Sequence, residues 1–267
     1  MDRRSPLIDA RDELGLSHAQ YCGDQSHSHT KLTLYHPEKY RNVNPLVLPP
    51  HLHTLALSQN LSINVWRTPF VFPEHLQELF LIIESEPIPI DLFLQQLVGL
   101  SHLKQLAING PHLAEPQSHL PDFKQWPHLT KLTLTTTVNV ARHILASYPT
   151  SQWCHLLIIA DEHHPNEPGV FAGLEEADWQ HLKQIGIHYD DFMKHAAMFK
   201  HTHKLKHLIV FGVQNEPAFW SRFFQVMNPQ TQPNLQTILF RSHVHSGKLL
   251  PNDCEKLLQW PYLSKFP

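Results

Sequence analysis

The sequence predicts an α/β fold of stacked repeats, with a parallel sheet on one side and helices on the other. Three observations carry that expectation. A strand-like phrase, apolar-x-x-apolar-x-apolar, recurs in one register along most of the chain. Segments with helical spacing of apolar residues alternate with it. Finally, QWPHLTKLTL at residues 125–134 is echoed as QWPYLSKF at 259–266, so even the corners between elements repeat.

The phrase begins in degenerate form at His29/Leu32/Leu34. It continues at Leu52/Leu55/Leu57, Leu76/Leu79/Leu81, Leu103/Leu106/Ile108, Leu129/Leu132/Leu134 and Trp153/Leu156/Ile158. Three more copies follow, at Leu182/Ile185/Ile187, Leu205/Leu208/Val210 and Leu235/Ile238/Phe240. First positions recur every 23 to 30 residues, a period characteristic of repeat arrays. One such phrase is weak, because any leucine-rich helix contains it. Nine in register are a pattern.

Helical spacing appears at 91–100, 140–149, 190–200, 216–227 and 252–260, each with one apolar stripe. Prolines and acidic residues near several of their starts suit helix N-termini, and Pro127 and Pro261 suit terminators. A single strand–turn–helix unit cannot bury its own apolar face; stacking neighbours closes a continuous core.

These residues resemble the leucine-rich-repeat family over roughly residues 29–266. The resemblance implies a solenoid, or horseshoe, with a concave parallel β-sheet and helices on the convex side. The expected organisation is an N-terminal cap over 1–28, an array of eight or nine irregular repeats over 29–250, and a C-terminal cap or truncated last repeat over 251–267. The family phrase LxxLxLxxNxL is matched well in its first half and poorly in its second. Asn60 fills the asparagine slot once, Asp161 and Asp190 fill it in two other copies, and the remaining copies have lost it. The expectation is therefore an irregular array without a continuous asparagine ladder.

Hydrophobic residues make up 42% of the 267-residue chain, enough for a substantial core. A formal charge of −3 gives no support for nucleic-acid binding or a polybasic membrane anchor. Cys22, Cys154 and Cys254 are far apart and form no CxxC pair, which suits a reducing compartment such as the cytosol. No signal-peptide h-region follows Met1, and the longest apolar runs, such as LFLII at 79–83, are strand length.

The chain has 23 histidines. HxH pairs occur at His27/His29, His51/His53, His201/His203 and His243/His245, and His163/His164 are adjacent. No HExxH or Cys/His framework supplies three or four converging ligands, so neither a metal nor another cofactor is expected. His51, His75, His102, His128 and His181 each stand just before the first leucine of a repeat, which marks a polar position at the strand entrance. Their protonation near pH 5–6 could weaken a complex.

Catalysis is not expected either. Cys154 and His155 are neighbours on a strand and should point to opposite faces. No GxSxG or phosphate-binding loop is present. Glu175/Glu176 and Asp190/Asp191 read as solvated turn or helix-start carboxylates.

What remains is the sheet face away from the helices. Alternation should place polar residues there, yet LFLII, HLLIIA and HLIVFG place Phe80, Ile82, Leu157, Ile159, Ile209 and Phe211 there instead, and the last copy adds Leu239. An exposed apolar patch of this kind marks a binding site. Tyr189, Arg241, Lys131, Glu78 and Lys183 are the candidate polar contacts around it. The expected function is non-enzymatic binding of a folded protein, by a chain that is otherwise monomeric and neither binds nucleic acid nor inserts into membranes. The irregular, stand-alone array also looks like leucine-rich-repeat effectors that intracellular bacteria inject into host cells. That resemblance implies a partner in the host cytoplasm, either a host protein or another effector whose active site is masked. The alternatives are an adaptor for a ubiquitin ligase, or an enzyme using Cys154 or a histidine-bound metal.

Overall fold

Each apolar phrase becomes a strand. The computed structural model describes residues 31–35, 48, 50–58, 72–83, 87–161, 168–212, 219–241 and 251–265. Strands β1 (Lys31–Tyr35), β2 (Thr54–Ser58) and β3 (Glu78–Ile82) are followed by the short β4 (Ile88–Pro89), then β5 (Gln105–Asn109) and the short β6 (Leu113–Ala114). After them come β7 (Lys131–Thr137), β8 (His155–Asp161), β9 (Gln184–His188), β10 (His207–Phe211) and β11 (Thr237–Arg241). The chain is α/β. Nine strands form one parallel sheet in the order β1-β2-β3-β5-β7-β8-β9-β10-β11, open at both ends, while β4 and β6 pair as a separate ribbon.

The strand register coincides with the alignment of the phrases. Leu55 pairs with Leu79, Leu79 with Leu106, Leu106 with Leu132, Leu132 with Leu156 and Leu156 with Ile185. Ile185 then pairs with Leu208, and Leu208 with Ile238. Leu32 stands opposite Leu55, which brings the degenerate first phrase into the same sheet.

Two backbone patterns hold the rows together. At each strand entrance of the main sheet from β3 onward, one carbonyl just before the neighbouring strand accepts two consecutive N–H groups. The His53 carbonyl takes those of Gln77 and Glu78, and Gln77 takes those of Lys104 and Gln105. Lys104, Thr130, Cys154, Lys183 and Lys206 repeat this pattern up to Gln236, whose carbonyl receives Ser264 and Lys265. One residue earlier, a tight turn closes onto each first anchor: Leu129 N–H donates to the Trp126 carbonyl at 3.1 Å, and Leu263 N–H to that of Trp260 at 3.4 Å. The echo QWPHL/QWPYL is therefore one corner built twice. In both copies the tryptophan is buried and the proline exposed. The first copy follows a short 3-10 turn, Phe123–Gln125, and the second follows a true helix.

Among the described residues the helices are α1 (Ile90–Gln96), α2 (Val138–Ser147), α3 (Tyr189–Lys194), α4 (Phe219–Val226) and α5 (Pro251–Leu257). They are shorter than the apolar spacing suggests; the stretch 190–200 divides into α3 and a 3-10 segment, Ala196–His201. Thr137 caps α2, its hydroxyl accepting from Val140 N–H, and His188 caps α3, its ring accepting from Asp190 N–H. Phe93, Leu94, Val140, Ile144, Phe192, Phe219 and Phe223 pack against the strand anchors in one continuous core. Toward β11 that core is aromatic: Phe219, Trp220 and Phe223 each meet the Phe240 ring edge-on.

In place of an asparagine ladder, buried and half-buried polar side chains tie the helical side together at irregular points. Asp91 accepts from the N–H groups of Gln117 and Ser118 and from the Ser118 hydroxyl. Gln152 donates to the carbonyls of Trp126 and Leu129, and the fully buried Gln232 donates to that of Phe199. Asp191 was expected to be solvated with Asp190 and is instead 1% exposed, accepting from Val170 N–H at 2.9 Å. The reason is local: Asp191 lies on the inner side of α3, where the 168–182 turns pass and leave a backbone donor to satisfy. Asn60 and the expected N-terminal cap over 1–28 lie outside the described residues, as do His27, His29, His163, His164, His243 and His245. No described helix is long and apolar enough to cross a membrane.

Leu106 and Leu132 stand side by side in the sheet and are both buried. Replacing either with alanine should cost about 2–5 kcal/mol of unfolding free energy in a denaturant titration; an unchanged midpoint would contradict this core.

Candidate interaction face

The residues alternating with the anchors project to the far side of the sheet from the helices. In β7 the pattern is as elementary sheet physics predicts: Leu132, Leu134 and Thr136 are buried, while Thr133 and Thr135 are half-buried. In β3 and β5 the far face is largely closed, whereas in β9 and β10 only the central Gly186 and Ile209 are buried and the far-face residues at either end are half-buried.

This changes the expected patch. Phe80, Ile82, Leu157 and Ile209 were expected to face water, but all are buried, between 5% and 9% exposed. Phe80 stands in register between Ala56 and Ala107, and the three form an apolar cluster separate from the main core. The ring covers the space its two small neighbours leave. Gly186 plays the same part further along: a Cβ there would fall 2.0 Å from Leu157 Cδ1 and 3.0 Å from Phe211 Cε2. Large side chains lean over small ones, so the apolar face partly covers itself.

Tyr189 also departs from expectation. It opens α3, belongs to the main core and meets the Phe219 ring at 5.5 Å, because the chain has already turned toward the helical side there. What stays accessible is narrower and lies toward β8–β11: Ile159, Phe211 and Leu239 are half-buried, and Arg241 is exposed at the end of β11. At the strand entrances Lys131 and Lys183 are exposed, and the half-buried Glu78 accepts a hydrogen bond from the Thr54 hydroxyl at 3.1 Å.

Two histidines on this face fall outside the recurrent slot; the sequence drew attention to His155 only as a neighbour of Cys154, and to His207 not at all. His155 and His207 open β8 and β10, beside Leu157 and Ile209. Burial, reinforced by Lys131, Lys183 and His207, holds His155 below the ordinary imidazole range. Burial with Lys206 and Lys265 does the same for His207. The slot histidines, His51, His75, His102, His128 and His181, are all exposed, and the rings of His75 and His102 lie 5.6 Å apart.

On the helical side His195 is 4% exposed, its Nδ1 2.9 Å from Glu175 and its Nε2 3.9 Å from Asp191. Gly169 leaves the space for this pair; a Cβ there would fall 2.2 Å from Asp191 Oδ1 and 2.3 Å from His195 Nε2. Burial opposes ionisation of Glu175, but hydrogen bonds from backbone N–H groups and His195 outweigh it and hold the carboxyl below its usual range. Among the described residues no group of three or more His, Cys, Asp or Glu side chains is placed to hold a metal ion. Cys154 and Cys254 are free thiols, and Cys154 lies at a strand entrance where its carbonyl receives Lys183 and Gln184.

Scanned against models of protein families, the chain matches none, and a search of curated proteins finds no match.

Two outcomes follow from this geometry. Gly186→Ala should displace Leu157 and Phe211 and lower stability by about 1–3 kcal/mol, as overpacking does; unfolding curves overlying those of the parent would contradict the close approach. A base held below its unfolded pKa binds fewer protons when folded. The stability contributed by His155 and His207 is therefore complete above the ordinary imidazole pKa and falls as pH drops through it. Thermal midpoints should fall between about pH 7.5 and about 5.5, and His155→Gln/His207→Gln should flatten that slope; an equally steep slope in the double variant would refute the assignment.

Proposed function

We propose that the chain is a leucine-rich-repeat solenoid whose sheet lines the concave side of a horseshoe and binds another folded protein there. The chain itself does no chemistry. The observation that carries this reading is the patch of half-exposed Ile159, Phe211 and Leu239 on three strands of one sheet, with the exposed Arg241 paired to Phe211, and Leu239 one far-face row away. Side chains on a hydrogen-bonded sheet are held in fixed relative positions, so little ordering entropy is lost when a partner docks. Apolar surface left open on such a scaffold suits a protein partner.

The size is adequate. Eight inter-strand steps of about 4.8 Å give the sheet an arc of roughly 40 Å, compatible with about 800 Å² buried on each partner. In the effector setting suggested by the sequence resemblance, the partner is a host protein or a second bacterial enzyme whose active site the horseshoe masks. The setting is the reducing cytoplasm of the host.

Phe211→Glu/Leu239→Glu is the informative variant, since Phe80 is too well buried to report on binding alone. A protein captured from host or bacterial lysate, then purified and titrated, should bind this variant at least about tenfold more weakly than the parent. Equal affinity for parent and variant would exclude the face.

A further inference from the structure

The register of the sheet collects charge that the whole-chain balance conceals. Along the strand entrances Gln105 pairs with Lys131, Lys131 with His155, His155 with Gln184 and Gln184 with His207. His207 pairs with Thr237, and Thr237 bridges to Lys265. One residue earlier on their strands stand Lys104, Lys183 and Lys206, whose carbonyls form the ladder. Lys104, Lys131, Lys183, Lys206 and Lys265 are all exposed, and six strand steps carry the row across roughly 29 Å.

Opposing charge is scarce in these rows. Among the described residues at the strand entrances, Glu78 is the one carboxylate, and it is engaged by Thr54. Asp122 and Asp178, on the turns that feed β7 and β9, accept instead from the N–H groups of Lys124 and Gln180. Lys104 Nζ donates to the neutral Gln77 amide oxygen at 2.9 Å. The positive field is felt on the face itself, where it helps depress His155 and His207.

Resting on the protein-binding reading above, we infer that the partner presents an acidic rim beside an apolar contact, the rim meeting the Lys104–Lys265 row and the apolar part meeting Ile159, Phe211 and Leu239. The lysines are long and hydrated, so they steer encounter and select partners by charge, while the apolar residues supply short-range attachment. A nucleic acid would use the same cations, but it would want aromatic platforms for its bases. The accessible patch offers two aliphatic side chains and one ring.

The test uses fluorescein-labelled poly-glutamate, a labelled glutamate–tyrosine random copolymer and labelled oligothymidylate, titrated by anisotropy at about 50 mM and about 500 mM salt. Both acidic polypeptides should bind at low salt, the copolymer more tightly, and both should weaken at high salt. Lys131→Glu/Lys183→Glu/Lys206→Glu, whose sites are exposed, should lower affinity for both by at least about tenfold. Phe211→Ser/Leu239→Ser, which removes apolar surface and leaves the charge unchanged, should remove the copolymer's advantage alone. Tighter binding of oligothymidylate than of either polypeptide, or unchanged binding by the lysine variant, overturns the inference. If the lysine variant is silent while the Phe211/Leu239 variant still weakens the copolymer, the charge assignment fails and the face survives. If the lysine variant responds but the Phe211/Leu239 variant does not, the face itself is wrong.

Discussion

The carbonyl ladder at the strand entrances is the constraint on which the rest of the molecule depends. Each carbonyl from His53 to Gln236 accepts two N–H groups from the following coil, and so pins the start of the next strand to the start of the last. A slip of one residue would exchange the two faces of a strand, taking leucines out of the core and putting lysines and histidines into it. The ladder and the anchors therefore enforce one another. Buried leucine makes the register worth keeping, and the backbone pairing makes it unique.

With register settled, side-chain size decides how much of the far face remains open. Phe80 over Ala56 and Ala107, and Leu157 with Phe211 over Gly186, are two versions of one solution. A small residue on one strand makes room for a large one on the next, and apolar area that would otherwise meet water is covered within the sheet. The cover is good at β3 and β5 and incomplete toward β11, where Phe211, Leu239 and Arg241 are stacked in neighbouring rows. Differential coverage gives the face a direction.

The helical side obeys a looser rule. Short helices, 3-10 turns and the 168–182 turns alternate there without a fixed pattern, and the buried acceptors Asp91 and Asp191 and the glutamines Gln152 and Gln232 tie them down one by one. A buried backbone donor must find an acceptor wherever the chain happens to run. Irregular turns thus call for irregular tethers, and His195 between Glu175 and Asp191 belongs to the same family of solutions.

The spacing of leucines was sufficient to locate the strands, their parallel order and their pairing, because anchors three and two residues apart have one way to share a core when identical units stack. The same spacing identified the corner shared by QWPHL and QWPYL. It left open how far Phe80, Ile82, Leu157 and Ile209 are covered, since that depends on the size of residues about 25 positions away in the chain and one strand away in space. Nor could composition disclose the lysine row. A net charge of −3 averages over 267 residues, whereas a Coulomb field depends on which of them lie within a Debye length of one another. Periodicity is a local property and is written in the chain; coverage and field are sums over neighbours, and only the folded sheet chooses the neighbours.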